Sequence, residues 1–198
     1  MNGSLSHRRG VARGRSHGFG LIEVMVALVI LSIGVLALLG MQINGKKANY
    51  DGVQRTSATH LAWDLIERMR SNRDAITSYV IPLSSPIGGG SLTQKTCTAS
   101  SPCTAAALAA ADLYDWEQVL LGASEKTAAN ESVGGLVTPR ACVEDLGNSE
   151  YQITIAWRGT QEVPDSDTGT NACGEGAGNY GAADEYRRFI SIRFFATK

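Results

Sequence analysis

Residues 24–43 read VMVALVILSIGVLALLGMQI. The run carries no charge and only two ordinary polar side chains, Ser32 and Gln42. A helix rising about 1.5 Å per residue covers roughly 30 Å in about 20 residues, the thickness of bilayer hydrocarbon. Gly34 and Gly40 weaken a helix in water but are tolerated in lipid, where an unpaired backbone group costs more than the lost entropy. The stretch therefore predicts one membrane-spanning helix. Arg8, Arg9, Arg13 and Arg15 precede it with no acid among residues 1–18, and Lys46 and Lys47 follow it. Four cations against two favour an N-terminus in the cytoplasm and a chain that is outside from about residue 45 onward.

The rest of the composition fits one globular domain behind that segment. The chain has 198 residues, of which 43% are hydrophobic and 19% charged. That is too apolar and too weakly charged for a wholly disordered chain. The formal net charge is −1, which gives no bulk attraction to nucleic acid. Removing the four N-terminal arginines from the 18 basic residues leaves 14 against 19 acids, a charge of −5 on residues 19–198. The 22 glycines argue against one long coiled coil and cluster away from the apolar helix.

A basic flank before an apolar run is also the general export signal. Three features set this chain apart. The apolar run is longer than an ordinary signal core, no convincing A-x-A cleavage site follows it, and a carboxylate, Glu23, stands at its mouth. An acid near hydrocarbon costs a few kcal/mol unless something compensates it.

The string G18-F19-G-L-I-E23-V-M-V-A-L, with its basic leader and apolar helix, resembles the processing site of type IV prepilins. The resemblance implies cleavage after Gly18 by a membrane prepilin peptidase. The same enzyme would then methylate the new terminal amine, making Phe19 an N-methylphenylalanine. Glu23 corresponds to the family's glutamate at mature position five. Its anion lies one helical turn from the freed amine, and two opposite charges in lipid are cheaper together than apart. Whether the pair closes within a subunit or between neighbours, Glu23 is then an assembly determinant and not a catalyst. The wider run over residues 16–75 is most similar to the pilus modification family of minor pilins (PilV), more loosely so beyond.

After Gln42 the pattern changes. In residues 44–75, Ala58, Leu61, Leu65 and Met69 recur at helical spacing, and Ala62 and Ile66 widen the stripe. The expectation is a continuous spine helix of about 50 residues, with Gly45 and Gly52 as sites of bending or local melting. Glu67, Arg68 and Arg70 read as solvated helix charges. His60 is no metal ligand on its own, because the other two histidines, His7 and His17, lie in the leader.

Residues 76–107 are rich in Ser, Thr, Gly and Pro and read as the loop between spine and sheet. A second helix is expected over residues 108–122, with Leu113, Trp116, Val119 and Leu120 facing inward and Asp112 as N-cap or first-turn acid. Strands are expected over 136–143, interrupted by Pro139 and therefore an edge, over 151–158, and over 188–195. Tyr151, Ile153, Ile155 and Trp157 alternate with Gln152, Thr154 and Ala156. The intervening residues 159–186, glycine-rich and acidic, read as a surface loop. The predicted class is α+β: a long N-terminal helix packed on a small antiparallel sheet, with a short second helix and disulfide-tied loops. The resemblance implies the type IV pilin-like version of this fold. The expected layout is a leader at 1–18, a transmembrane and assembly helix at 19–43, its amphipathic continuation at 44–75 and a periplasmic head at 76–198.

Four cysteines allow three pairings. Cys97 with Cys103, a local ring, and Cys142 with Cys173, tying the acidic loop to a strand, are favoured. Disulfides suit an exported head. Zinc is disfavoured because no C-x-x-C knuckle exists. The oxygen-rich run Asp165, Asp167, Thr168, Thr170 and Asn171 could suit calcium, but it lacks the terminal glutamate of an EF-hand and reads as a solvated loop. No nucleophile–base set is visible, and the GGGS at 88–91 has no strand-then-helix context for a phosphate loop. No enzymatic activity and no cofactor are expected.

The resemblance implies a minor pilin that helps initiate pilus assembly at the inner membrane and supports adhesion, twitching motility and DNA uptake. Its partners would be other minor pilins, the major pilin, the inner-membrane assembly platform and prepilin peptidase. A minor pseudopilin of type II secretion is the nearest alternative. A DNA-binding minor pilin would need a basic exposed patch, for which only Arg187, Arg188 and Arg193 offer a local stripe.

Overall fold

The structure is a computed structural model, and it describes residues 20–196 apart from 99, 124, 131 and 164–170. The leader, Gly18 and Phe19, and Asp165, Asp167, Thr168 and Thr170 of the suggested calcium run lie outside the described residues. The elements in order are α1 (Leu21–Ser71), a 3-10 helix (Arg73–Tyr79), α2 (Ala105–Leu120), β1 (Arg140–Gly147), β2 (Glu150–Arg158) and β3 (Arg187–Phe195). The chain divides into two compact units between residues 44 and 45.

The first unit is the apolar half of α1. All of its described side chains are exposed. Ser32 satisfies its hydroxyl inside the helix, donating to the Leu28 carbonyl at 2.7 Å. Such back-bonding lets a hydroxyl sit in an apolar helix without an unpaired donor.

The second unit begins with the rest of α1. The helix runs 51 residues without interruption, so Gly45 and Gly52 do not melt it. A single helical glycine costs only about 1 kcal/mol relative to alanine, which long flanking turns absorb. Gln54, Ala58, Ala62, Leu65, Ile66 and Met69 form its buried stripe. The helix stops at Ser71, and the 3-10 turn carries the chain on to Tyr79, so the loop starts later than residue 76. Buried Asn72 ties this junction together, its amide nitrogen donating to the Ala105 carbonyl at 2.7 Å and to the Tyr79 hydroxyl at 3.2 Å.

Thr104, not Asp112, caps α2: its hydroxyl accepts from the Ala107 amide at 3.2 Å. Asp112 lies mid-helix instead, accepting from the Tyr79 hydroxyl and standing 3.7 Å from Arg68. Arg68 also pairs with Asp64 at 3.0 Å. It is therefore part of the junction and not a purely solvated charge. Leu113, Trp116 and Leu120 face inward as the spacing predicts, but Val119 is 46% exposed and Glu117 is fully buried in the inward row.

The sheet is antiparallel in the order β1-β2-β3, with Ile153 opposite both Val143 and Ile192. Pro139 ends the preceding segment instead of interrupting a strand, so β1 begins at Arg140 and extends to Gly147. The outer side of β1 is covered by Ile81 and Ile87, which exchange backbone hydrogen bonds with Val143 and Ala141. One core joins the α1 stripe, α2 and the Ile153 and Ile155 face of β2.

The opposite face of β2 is buried too, through Gln152, Thr154 and Ala156. The described part of the acidic loop has buried anchors and is not simply surface. Cys173 and Tyr180 are fully buried. The Tyr180 hydroxyl donates to the Thr138 carbonyl at 3.1 Å, and Arg158 donates to the Asn179 carbonyl at 2.8 Å. Hydrogen-bonded anchors of this kind let glycine-rich backbone lie against a core without unpaired polar groups.

Candidate functional site

The candidate site is the N-terminal part of α1. Glu23 sits in its first turn, with its amide bonded to the Gly20 carbonyl at 2.9 Å. A carboxylate there is favoured by the helix dipole. Behind it, large apolar residues from Leu21 to Ile43 are exposed, and Leu21 itself is 79% exposed. None of the most apolar stretch is buried, and the helix is long and apolar enough to cross a membrane. A helix apolar on every side needs lipid or other helices around it. Glu23, Ala27 and Leu31 share a face with Val24 and Leu28, and the small Ala27 leaves an open hollow between them. One helix cannot enclose a ligand, so this is a packing surface. Its chemistry is one acid in an apolar face, suited to meeting a cation at a helix contact.

The remaining site residues belong to the second unit. Cys97 is joined to Cys103 and Cys142 to Cys173, with Cα separations of 5.3 and 5.9 Å. Asn171, the one described member of the oxygen-rich run, accepts at its side-chain oxygen from Gln152, Thr154 and Ser191 at 3.0, 3.3 and 2.9 Å. Those donors occupy the oxygen a cation would need. Among the described residues no three His, Cys, Asp or Glu side chains form a metal-ligating group.

The three arginines near β3 do not line up as an exposed stripe. Arg187 is only 4% exposed and donates to the carbonyls of Asn171 and Cys173, stacking over Phe189 at 4.8 Å. Arg188 donates to the carbonyls of Gln161 and Arg187. Arg193 reaches Gln152 at 2.8 Å and Glu150 at 3.9 Å.

The sequence reading missed the buried polar residues that hold the head in place. Glu117 accepts the amides of Gly88 and Gly90 at 2.8 and 3.0 Å on one oxygen and that of Leu92 at 3.3 Å on the other. Gly88 is obligatory there. Its φ is +110°, and a Cβ would lie 2.5 Å from the Pro139 carbonyl oxygen. A signal existed, because Glu117 falls four residues after Leu113 and three before Leu120. Burial raises the hydroxyl pKa of Tyr180 to about 12. That of Tyr79 is raised further, first by burial and then by its bond to Asp112.

Residues 13–39 match the prokaryotic N-terminal methylation motif, and residues 40–114 match the Tt1218-like family, described as type IV pilin Tt1218. No curated protein and no solved structure matches the chain. The two matches meet within α1. The first covers the Gly18–Phe19 junction, Glu23 and most of the exposed apolar run, and the second covers the buried stripe, the loop and the first part of α2. The long apolar helix, three-stranded antiparallel sheet, short second helix and two disulfides make a pilin-like α+β fold, and across residues 13–114 the chain is similar first to the N-terminal methylation motif and then to a type IV pilin.

Proposed function

We propose that the protein is a minor pilin of the pilus modification type (PilV), a structural subunit that helps initiate pilus assembly at the inner membrane with other minor pilins. In this reading prepilin peptidase removes residues 1–18 and methylates Phe19. Residues 19–43 hold the subunit in the bilayer as a single span, and residues 44–75 extend that helix into the head. The N-terminus starts in the cytoplasm, and the head, residues 76–198, lies in the periplasm. The subunit then passes into the fibre or its tip, where it supports adhesion, twitching motility and DNA uptake.

The observation that carries this reading is the exposed apolar helix with Glu23 in its first turn, directly within the methylation-motif match. Lipid stores such a helix, and other helices of the same kind can replace the lipid, with Glu23 meeting a neighbour's terminal amine.

The test is intact-mass and N-terminal analysis of membrane-extracted protein, followed by identification of crosslinked partners. The expected species begins at a methylated Phe19 and crosslinks to pilus subunits. An intact arginine-rich leader would sink the processing claim, and partners drawn from a secretion pseudopilus would move the protein to that system. Glu23→Ala should still be cleaved but should incorporate poorly, so wild-type incorporation of that variant would remove Glu23 from assembly.

A further inference from the structure

Among the described residues strand β3 pairs on one side only. Its neighbour is β2, while the far edge of the sheet, on β1, is already covered by Ile81 and Ile87. The alternation along β3 follows from two bonds. Gly159 donates to the Tyr186 carbonyl at 2.8 Å, and Ala196 donates to the Ser149 carbonyl at 3.0 Å. In an antiparallel ladder the backbone groups of alternate residues point the same way, so residues 188, 190, 192 and 194 face β2. The amides and carbonyls of Phe189, Ser191, Arg193 and Phe195 face outward, and none has a backbone partner among the described residues. Nearer the start of the strand the edge is closed, since Arg187 donates to the Asp184 carbonyl and Val163 to that of Glu185.

A groove of about 450 Å³ runs beside this open edge, between Arg55 and Thr59 of α1 and Phe189, Ile190, Ser191 and Ile192 of β3. Arg55 is the charged side chain among these lining residues, and no acid is among them, while Asp51 stands beside Arg55 and Arg188 in the adjoining hollow. Strand β3 carries three arginines and no acid. Arg188 bonds to carbonyls, which leave its charge uncompensated, and Arg55 forms no hydrogen bond or ion pair among the described residues. Arg187 is buried and Arg193 stands by Glu150, so a second copy of β3 would bring chiefly another Arg188 to the seam, and like charges opposed across strands are destabilising. The same repulsion protects the edge from self-association and leaves it open to the opposite sign.

We propose that the free edge of β3 is a docking site for an extended acidic segment of a partner protein, which adds to the sheet as a fourth strand. The backbone of the partner pairs with Phe189, Ser191, Arg193 and Phe195. Its alternate carboxylates, on the face toward α1, meet Arg55 and Arg188 beside Ile190 and Ile192, and the apolar side chains between them lie on the opposite face, over Phe189. Main-chain bonds supply affinity in this mode and side chains supply selection.

The inference does not depend on the pilus reading, and its test uses no pilus component, so either can fail alone. The full chain in neutral detergent micelles is mixed with a synthetic peptide of the length of β3 that alternates Glu and Val, and residue-resolved amide exchange is followed. Exchange at Phe189, Ser191, Arg193 and Phe195 should slow by about tenfold or more, while Ile190 and Ile192, already paired with β2, stay unchanged. A peptide with Lys in place of Glu should protect less. Arg55→Glu, at a side chain with no partner to lose, should weaken binding of the acidic peptide by about fivefold. Three outcomes overturn the proposal: no slowing at the four outward amides with millimolar acidic peptide, equal protection by the lysine peptide, or slow exchange at those amides in the chain alone.

Discussion

The indole nitrogen of Trp116 donates to the Leu61 carbonyl at 2.9 Å, tying α2 to the spine across 55 residues of sequence. Trp116 is fully buried, and Leu61 lies beside the buried stripe of α1. The contact supplies both area and direction: the ring fills the core, and the hydrogen bond sets how far along α1 the second helix docks. Trp116→Phe keeps an aromatic ring but loses the donor and some volume. It should destabilise the head by about 2 kcal/mol, and Trp116→Ala by about 3–5 kcal/mol. Denaturant titration of the micelle-bound chain, followed by the remaining tryptophan fluorescence, measures both.

Glu117 should matter more than its place on a helix suggests. Replacing it with Ala strands the buried amides of Gly88, Gly90 and Leu92 and should cost about 3–4 kcal/mol. Glu117→Gln should recover part of that, because one oxygen still accepts from Gly88 and Gly90 while its amide group turns a donor toward Leu92. Equal losses for the two variants in the same titration would mean that the carboxylate cradle is not what holds the loop.

The disulfides should contribute unequally. Cys142 and Cys173 close a separation of 31 residues, and Cys97 and Cys103 one of only 6. By the loop-entropy relation, replacing the longer pair with serines costs about 3–4 kcal/mol and the shorter pair about 1.5 kcal/mol less. The longer pair also anchors the described part of the acidic loop over the Thr154 face of β2, so its loss should speed proteolysis between residues 159 and 186.

Alkaline pH should loosen the head through two tyrosines. Burial holds the Tyr180 hydroxyl at about 12, above its ordinary value of 10.0, and Tyr79 is raised in the same direction. The folded state therefore favours the neutral phenol. This stabilising contribution is fully present below pH 10 and is lost as the pH rises from about 10 to about 12. Phenolate absorbance in a pH titration should show these two rings ionising late, together with unfolding, and Tyr180→Phe should remove part of the alkaline destabilisation.

The parts legible in the sequence are those with a period. The spine stripe from Ala58 to Met69 and the alternation from Tyr151 to Trp157 can be read from spacing, because one buried face imposes 3.6 or 2 residues per repeat. The Gly-Phe junction, its glutamate and the apolar run are local, so they are visible without any tertiary structure. What spacing does not show is how polar groups are satisfied over long separations. Glu117 with the Gly88 loop, Asn72 with Ala105, and Arg187 with Asn171 each join residues distant in sequence. Both faces of β2 are buried for the same reason: the second face is covered by a loop whose composition looks solvent-facing, and a disulfide and buried side chains hold it down. Gly45 and Gly52 do not melt α1, because their local cost is small beside the cooperativity of a 51-residue helix.

Asp51 accepts from both the amide and the hydroxyl of Thr160 at 3.0 Å, and three residues on, Gln54 accepts from the Val137 amide at 3.2 Å. Both precede the apolar stripe that begins at Ala58. A pull along α1 toward its N-terminus thus reaches these polar straps before the apolar stripe behind them. For a subunit handled by its spine, this arrangement makes the head a mechanical anchor as well as a folded domain.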